Sequence, residues 1–326
     1  MAPCHFRMKA RRCPCTAYRP DDGGFICVCG HKPSLHRSEV ASMTASELLA
    51  EADLAHWTPD EGLKEIPNRG GRSKFFQRLQ DLLTSTHKTE DNWTRDRGCA
   101  IHGRDGPGCS KDCMFANRAP VPTGYRLRRV FRNQNRQLLQ NFLVMRNAIL
   151  KECASESKAE DYDDCAVLSQ GGKDIGTPVE DGCNDWRLLH GTNINACRGI
   201  CSTNFRLSMA GSGATWKEPG SGVGSPLYGY GIYLAERITK ADEYAEREGS
   251  GLYSALIVRC VGGRANVVTT NEIDKDKLRN DVFDGPYHSV FGDRVTSLGK
   301  PFKEIVVYDK DQIFPEFLIL YERVYD

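Results

Sequence analysis

The chain has 326 residues, of which 40% are apolar and 27% charged, so we expect one large globular domain and smaller pieces. Its net charge of +1 excludes capture of nucleic acid by overall charge and leaves only local basic patches for that role. A membrane helix needs about 18 consecutive apolar residues. No such run occurs, so the sequence predicts no membrane partner.

The first residues, MAPCHFRMKARRCPC, lack the apolar core of a secretory signal, which predicts an intracellular protein of the nucleus or cytoplasm. In such a reducing compartment, clustered cysteines favour metal binding over disulfides. Eight of the 14 cysteines lie in the first 113 residues, so cysteine content alone divides the chain into an early and a late part.

Residues 1–38 are predicted to form a small Cys/His-rich zinc module. Two close cysteine pairs brought together by a turn at DDGG can complete a tetrahedral site. A segment with so little apolar surface needs metal binding to supply its folding free energy. The spacing does not decide which four of six candidates bind, and a flexible tail is the alternative. The candidate metal ligands are Cys13, Cys15, Cys27, Cys29, His31 and His36.

Residues 39–119 are predicted to be a connector with two short helices. The first, in ASMTASELLAEADLAHW, has Thr44 or Ser46 as its cap, and the second, SKFFQRLQDLL, begins after Ser73. A second Cys/His cluster lies in a glycine-rich loop, where incidental surface cysteines are an equally good interpretation. Its members are Cys99, His102, Cys109 and Cys113.

Residues 120–326 are predicted to form the main domain. YRLRRV is typical of a strand, and the following segment has apolar residues at helical spacing: Leu138, Phe142, Met145 and Ile149. Residues 151–185 carry ten acidic residues against three lysines and are predicted to be a surface loop.

After Asp185, apolar strands alternate with glycine-rich loops, and only one or two short helices are predicted, near 194–201 and 238–246. Regular alternation of strands and helices is absent, which argues against a Rossmann sheet. The predicted strands are RLLHGT, YGIYLA, YSALIVRCV, FKEIVVYD and EFLILYERVY.

The segment YGYGIYLA is not a dinucleotide-binding glycine loop. That loop has G-x-G-x-x-G after a strand and at the start of a helix, whereas these glycines precede a strand and lack the third glycine.

Two polar residues stand out on predicted strands. Glu304 shares a strand face with Phe302, Val306 and Tyr308, and a carboxylate on an apolar face is costly unless it is compensated. His190 follows two leucines in LLHGT. Taken singly, each has an ordinary structural explanation, such as a packed core histidine or a glutamate at a solvated edge.

Together, four separated segments resemble the catalytic domain of the poly(ADP-ribose) polymerases, the His-Tyr-Glu branch of the diphtheria-toxin-like ADP-ribosyltransferases. They are LLHGT, YGYGIYLAERITKADEYA, GPYHSVFGDR and KEIVVYDKDQIFPEFLILY. The resemblance extends over roughly residues 120–326 and implies an α+β ADP-ribosyltransferase fold, with two small packed β-sheets that form an NAD+ cleft.

The resemblance implies that His190, Tyr233 and Glu304 are the catalytic triad and that NAD+ is the substrate. Tyr233 and Tyr244 would enclose the nicotinamide ring, whose positive charge favours aromatic faces. Gly191 would bind its amide through the backbone, and His190 would bind the adenosine ribose.

Glu304 is expected to stabilise the positive charge that develops on the ribose as the bond to nicotinamide breaks, because that bond resembles the one cleaved in glycoside hydrolysis. Its loss should lower the rate about 100- to 1000-fold. The expected activity is therefore transfer of ADP-ribose to protein side chains, as single units or as chains.

The sequence departs from the family pattern at Ala241, where many members have a serine that binds the nicotinamide amide, and at Tyr230, which is often lysine. Weaker NAD+ binding is expected from Ala241. The segment SMAGSGATWKEPGSGVGSP is predicted to be a mobile loop over the donor site.

Two other functions compete with a protein-modifying enzyme. The first is a zinc-anchored binding module without useful turnover. The second is a transferase acting on nucleic acid ends, which would use basic patches that are more often solvated faces. These patches are Arg7, Lys9, Arg11, Arg12 and Arg19, and the six arginines within 118–136.

Overall fold

The computed structural model describes residues 7–8, 11–12, 45–52, 54–55, 57–58, 60–68, 73–87, 122–156, 175–210, 226–299 and 302–325. Its strands are β1 (Arg7–Met8), β2 (Arg11–Arg12), β3 (Leu63–Glu65), β4 (Gly124–Asn133), β5 (Asp185–Gly191), β6 (Ile232–Ala235), β7 (Tyr253–Val261), β8 (Ala265–Val268), β9 (Ser289–Gly292), β10 (Glu304–Val307) and β11 (Ile313–Val324). Its α-helices are α1 (Ala45–Glu51), α2 (Lys74–Ser85), α3 (Arg136–Glu156), α4 (Ile194–Thr203), α5 (Ile238–Ala241), α6 (Lys275–Phe283) and α7 (Arg294–Leu298).

Nine strands form one mixed sheet in the order β3-β4-β11-β7-β5-β6-β10-β9-β8, in which only β8 and β9 are parallel. The predicted α+β class is confirmed. The two predicted sheets, however, are joined by hydrogen bonding between β5 and β6, at the single residue pair Leu189 and Ala235. The two halves of the sheet therefore share one backbone pair, which lies beside the predicted site.

The central strands are buried on both faces, as their continuous apolar runs predict. On β5 and β7, successive residues alternate between two core clusters: Leu189 and Ile257 belong to one, and Leu188 and Val258 to the other. Helix α2 covers the first cluster and helix α4 covers the second. The predicted strand YSALIVRCV coincides with β7.

The long helix α3 packs the apolar face that its spacing predicts. Leu138, Phe142, Met145 and Ile149 are all buried, in a cluster that includes Leu48 of α1. Helix α3 is 21 residues long and packs this apolar face against α1.

Part of the predicted connector packs on the sheet. Helix α2 begins after Ser73, whose side-chain oxygen accepts a hydrogen bond from the Phe76 N–H at 3.4 Å, so the predicted cap is confirmed. Strand β3 pairs with β4 and was missed by the sequence analysis.

Two sequence predictions were wrong. Residues 151–185 do not form one surface loop, because α3 extends to Glu156 and both Ile175 and Thr177 are buried. Among the described residues after Asp185 there are four α-helices, and not one or two. Helix α6 is missing from the prediction because only three of its nine residues are buried, which gives it a weak apolar pattern.

A charged network is buried in the half of the sheet that contains β5, β7 and β11. Arg187 and Arg259 are completely buried, and the two acidic partners are Glu316 and Asp185. Arg187 donates to Glu316 at 2.9 Å, Arg259 donates to Asp185, and both arginines also bind Thr177. Two cations face two carboxylates, so the interior of this half carries no net charge from the four groups.

We expect Glu316→Gln to lower the free energy of unfolding by about 3 kcal/mol near pH 7, because it leaves buried arginines short of a counter-charge. Burial raises the Glu316 pKa, but Arg187 and Arg259 outweigh it and hold that pKa below its ordinary value of 4.5. The stabilisation is therefore complete above pH 4.5 and is lost as the pH falls further. Urea unfolding between pH 3 and 7 should show a shallower decline for the variant than for wild type, and parallel curves would contradict this.

Candidate active site

Strand β6 places the predicted catalytic residues next to one another. It lies between β5 and β10, and Ala235 of β6 faces Leu189 of β5 on one side and Glu304 of β10 on the other. Tyr233 of β6 is paired with Val306 of β10. His190, which follows Leu189, and Glu304 therefore flank the strand that carries Tyr233.

His190 is held by two contacts. Its Nδ1 lies 3.0 Å from the Tyr233 carbonyl oxygen, and its ring meets Phe205 edge to face at 4.9 Å between centroids. A carbonyl only accepts, so Nδ1 carries the proton. Burial lowers the His190 pKa more than the hydrogen bond raises it. The ring is thus neutral at pH 7 and Nε2 is its acceptor nitrogen.

Tyr233 is fixed by its hydroxyl. The hydroxyl donates to the Gly229 carbonyl at 2.8 Å and accepts from the Tyr228 N–H at 2.8 Å. Gly229 has φ of +83°, so the loop that folds back onto Tyr233 needs glycine there. Burial, followed by the charge of Glu304, raises the Tyr233 pKa well above its ordinary value. The tyrosine stays neutral and presents a fixed ring.

Gly191, Ala241 and Tyr244 form the next part of the site. A Cβ at position 191 would overlap the Ala241 carbonyl, so only glycine allows β5 to approach α5 this closely. Ala241 is 2% exposed. Tyr244 ends the 3-10 turn Asp242–Tyr244 that follows α5, and its side chain is 38% exposed.

Glu304 is buried, and its charge is compensated by two cations. Its Oε1 accepts from Arg294 at 2.9 Å and lies 3.5 Å from the Lys240 ammonium. Lys240 also donates to Glu243 at 2.9 Å and to the Tyr244 hydroxyl at 3.4 Å. Burial by itself would lower the Lys240 pKa, but Glu243 and Glu304 outweigh it and raise that pKa. Glu304, which the sequence placed on an apolar strand face, therefore lies in a group of two carboxylates and two cations whose charges balance.

Sequence analysis missed Lys240, Glu243 and Arg294. The first two lie in the predicted TKADEYA segment, where a lysine between the two tyrosines was an available signal. Arg294 ends the GPYHSVFGDR segment, but nothing in that segment indicates its contact with Glu304, which depends on how α7 returns to β10. All six predicted triad and NAD+-binding residues are described and lie on β5, β6, β10, α5 and the turn after α5.

A family model for the poly(ADP-ribose) polymerase catalytic domain matches residues 111–286, more than half of the chain. The chain belongs to this family. The match includes His190, Tyr233 and Tyr244 and ends before Glu304, whose strand β10 pairs with β6, the strand of Tyr233. Family membership supports an ADP-ribosyltransferase type of function with NAD+ as substrate.

The predicted zinc ligands lie outside the described residues, as do Cys99, His102, Cys109 and Cys113 and residues 211–225 of the predicted mobile loop. The described part of the chain holds no group of three or more metal-ligating side chains. It also has no helix long and apolar enough to cross a bilayer.

Three of the four arginines of β4 lie against acidic residues. Arg128 binds Glu322 at 2.6 Å, and Arg129 binds Glu65 at 2.7 Å. Arg126 lies 3.9 Å from the same Glu322 carboxylate. These pairs reduce the positive potential of the second predicted basic patch.

We expect Gly191→Ala to destabilise the protein by about 1–3 kcal/mol, because the methyl group displaces the Ala241 carbonyl. The matched control is Gly199→Ala in α4, where a methyl group meets nothing within 4 Å and should stabilise the helix by about 0.5–1 kcal/mol. Thermal unfolding monitored by circular dichroism compares the two. Equal melting temperatures for both variants would contradict the close approach of β5 and α5.

Proposed function

We propose that the protein is an NAD+-dependent ADP-ribosyltransferase that modifies protein side chains and releases nicotinamide. The observation that supports this proposal is the strand register, in which Ala235, on the strand of Tyr233, pairs with Glu304 on one side and with Leu189, the neighbour of His190, on the other. His190, Tyr233 and Glu304 come from three separate strands, and the first and the last of these residues are more than 100 positions apart in the sequence.

The nicotinamide end of NAD+ would lie between Tyr233 and Tyr244. Tyr233 is held by two hydrogen bonds and Tyr244 is partly exposed, so one aromatic face is rigid and the other is open to a ligand. The positively charged ring gains cation–π attraction from both. Gly191 offers backbone groups to the amide, and Nε2 of His190 can accept a hydrogen bond from a ribose hydroxyl.

Glu304 would act on the ribose of the nicotinamide side. The bond from ribose C1′ to the ring nitrogen breaks, its electron pair leaves with neutral nicotinamide, and positive charge develops on the ribose. One Glu304 oxygen, Oε1, is bound by Arg294 and Lys240. The other Glu304 oxygen can accept a hydrogen bond from the ribose hydroxyl and stabilise that positive charge. The acceptor then forms the new bond to C1′ and gives up its proton to solvent.

The direct test incubates purified protein with labelled NAD+ and compares Glu304→Gln with wild type. We expect label on protein, with the rate in the variant lower by about 100- to 1000-fold. A denaturing gel separates a discrete band, which indicates single units, from a smear, which indicates chains. Oligonucleotides in a parallel reaction test for nucleic acid acceptors.

Glu304→Gln keeps the size of the side chain, so its fold can be checked by melting temperature before rates are compared. An unchanged rate in a folded variant would overturn the role of Glu304. Label on oligonucleotides alone would overturn the protein-acceptor proposal.

A second candidate function, a binding module with little turnover, is favoured by one observation. Ala241 occupies the position where many family members provide a serine hydroxyl for the nicotinamide amide. Detectable NAD+ binding without transfer or NAD+ cleavage would support this second candidate over the enzyme.

We expect Ala241→Ser to tighten the binding of benzamide, a nicotinamide isostere, by about two- to tenfold, the effect of one added hydrogen bond. Ala241→Cys controls for side-chain size, since a thiol is a weak donor. Calorimetric titration of the three proteins gives the dissociation constants. Equal affinity of wild type and the serine variant would contradict the placement of Ala241 against the amide.

A further inference from the structure

A completely buried carboxylate, Asp242, lies directly behind the proposed nicotinamide site. Its Oδ1 accepts from the Tyr321 hydroxyl at 2.7 Å and from Arg323 Nε at 3.0 Å. Its Oδ2 accepts from the Tyr125 hydroxyl at 3.1 Å. We call Asp242 and these three partners the Asp242 hub.

The Asp242 hub fixes the backbone of Asp242 as well as its side chain. A second nitrogen of Arg323 donates to the Asp242 carbonyl at 2.9 Å, and the same carbonyl accepts from the Ala245 N–H at 3.2 Å. Ala241, the preceding residue, packs its carbonyl against Gly191. The turn between Ala241 and Ala245 is therefore fixed from both sides.

The partners of Asp242 are themselves packed in place. Tyr321 meets Tyr125 edge to face at 5.6 Å and is stacked on Tyr253 at 6.1 Å. The guanidinium of Arg323 lies 3.7 Å from the centre of the Tyr253 ring. Tyr321 and Arg323 lie on β11, and Tyr125 lies on β4. The hub thus ties the turn to two neighbouring strands of the sheet.

The residues that the turn carries are the ones proposed to contact nicotinamide. Ala241 lies at its start and Tyr244 three residues later. Glu304, in contrast, lies on β10 and is held by Arg294 and Lys240. The hub therefore acts first on the nicotinamide-binding side of the site.

We propose that Asp242 is a positioning residue that holds Tyr244 in place for NAD+ and replaces, by rigidity, the serine hydroxyl absent at position 241. This inference rests on the proposed NAD+ site. A Tyr244 ring that is already held in its binding position loses less conformational entropy when NAD+ binds. Loss of the hub should weaken the binding of NAD+ and benzamide and leave the turnover of bound NAD+ nearly unchanged.

The test compares Asp242→Asn and Tyr321→Phe with wild type. Asn keeps the shape of the aspartate and removes its charge, and Phe removes one hydroxyl and keeps the ring. We expect the dissociation constant of benzamide and the KM for NAD+ to rise about tenfold in Asp242→Asn and by a smaller factor in Tyr321→Phe. The kcat for NAD+ cleavage should stay within about twofold of wild type.

The matched control is Glu316→Gln, which also removes the charge of a buried carboxylate bound to arginine, at a position on the same strand as Tyr321 and Arg323. It should lower the melting temperature and leave benzamide affinity unchanged. Thr177→Val, which loses its hydrogen bond to Glu316, is a milder second control.

Equal benzamide affinity in wild type and the hub variants would overturn the inference and leave the proposed function intact. So would equal loss of affinity in the hub variants and in the controls, since that is the result of general destabilisation. If Asp242→Asn does not fold, the benzamide affinities of Tyr321→Phe and Tyr125→Phe test the inference instead, because both variants keep the Asp242–Arg323 ion pair. Absence of benzamide and NAD+ binding in wild type would overturn the proposed function and this inference with it.

Discussion

The pairing of β6 with both β5 and β10 is the constraint on which the site depends. One residue, Ala235, faces Leu189 on one side and Glu304 on the other, and in the described sheet it forms the single backbone pair between β5 and β6. A shift of one residue in the β6–β10 register would turn Glu304 to the opposite face of the sheet. It would also separate Glu304 from Arg294 and Lys240. Register therefore fixes the position and the electrostatic environment of the carboxylate together.

In three places, buried carboxylates are paired with basic side chains. Glu304 is set against Lys240 and Arg294, Asp242 against Arg323, and the pair Asp185 and Glu316 against two arginines. Buried ion pairs of this kind contribute little net stability relative to apolar residues, but they are costly to break singly. Their main effect is geometric, since each carboxylate has a small number of positions in which all its donors are satisfied. Two of these three groups lie at the proposed site, where accurate placement of side chains matters most.

Much of the fold could be predicted because its central strands are continuous apolar runs. The bounds of β7 and the buried face of α3 follow directly from residue pattern. The short strands β8 and β9 could not be predicted, since four residues hold too little pattern and their pairing depends on distant segments. Resemblance to the family selected His190, Tyr233 and Glu304. It did not select Arg294 or the Asp242 hub, because these contacts join residues whose types recur throughout any sequence and whose proximity arises only from tertiary packing.

Ala241 and Asp242 are adjacent, and under the proposed function they act on the same ligand by different means. A serine hydroxyl contributes about 0.5–1.5 kcal/mol by one direct hydrogen bond. Fixing a side chain before the ligand arrives avoids an ordering cost of about the same size. The two effects can therefore offset each other in affinity, but they differ in selectivity. A hydroxyl recognises a carboxamide, whereas a held tyrosine ring accepts any flat cationic or aromatic group. Recognition of the amide in this chain then rests on the backbone of Gly191, where a side chain of any kind would collide with the Ala241 carbonyl.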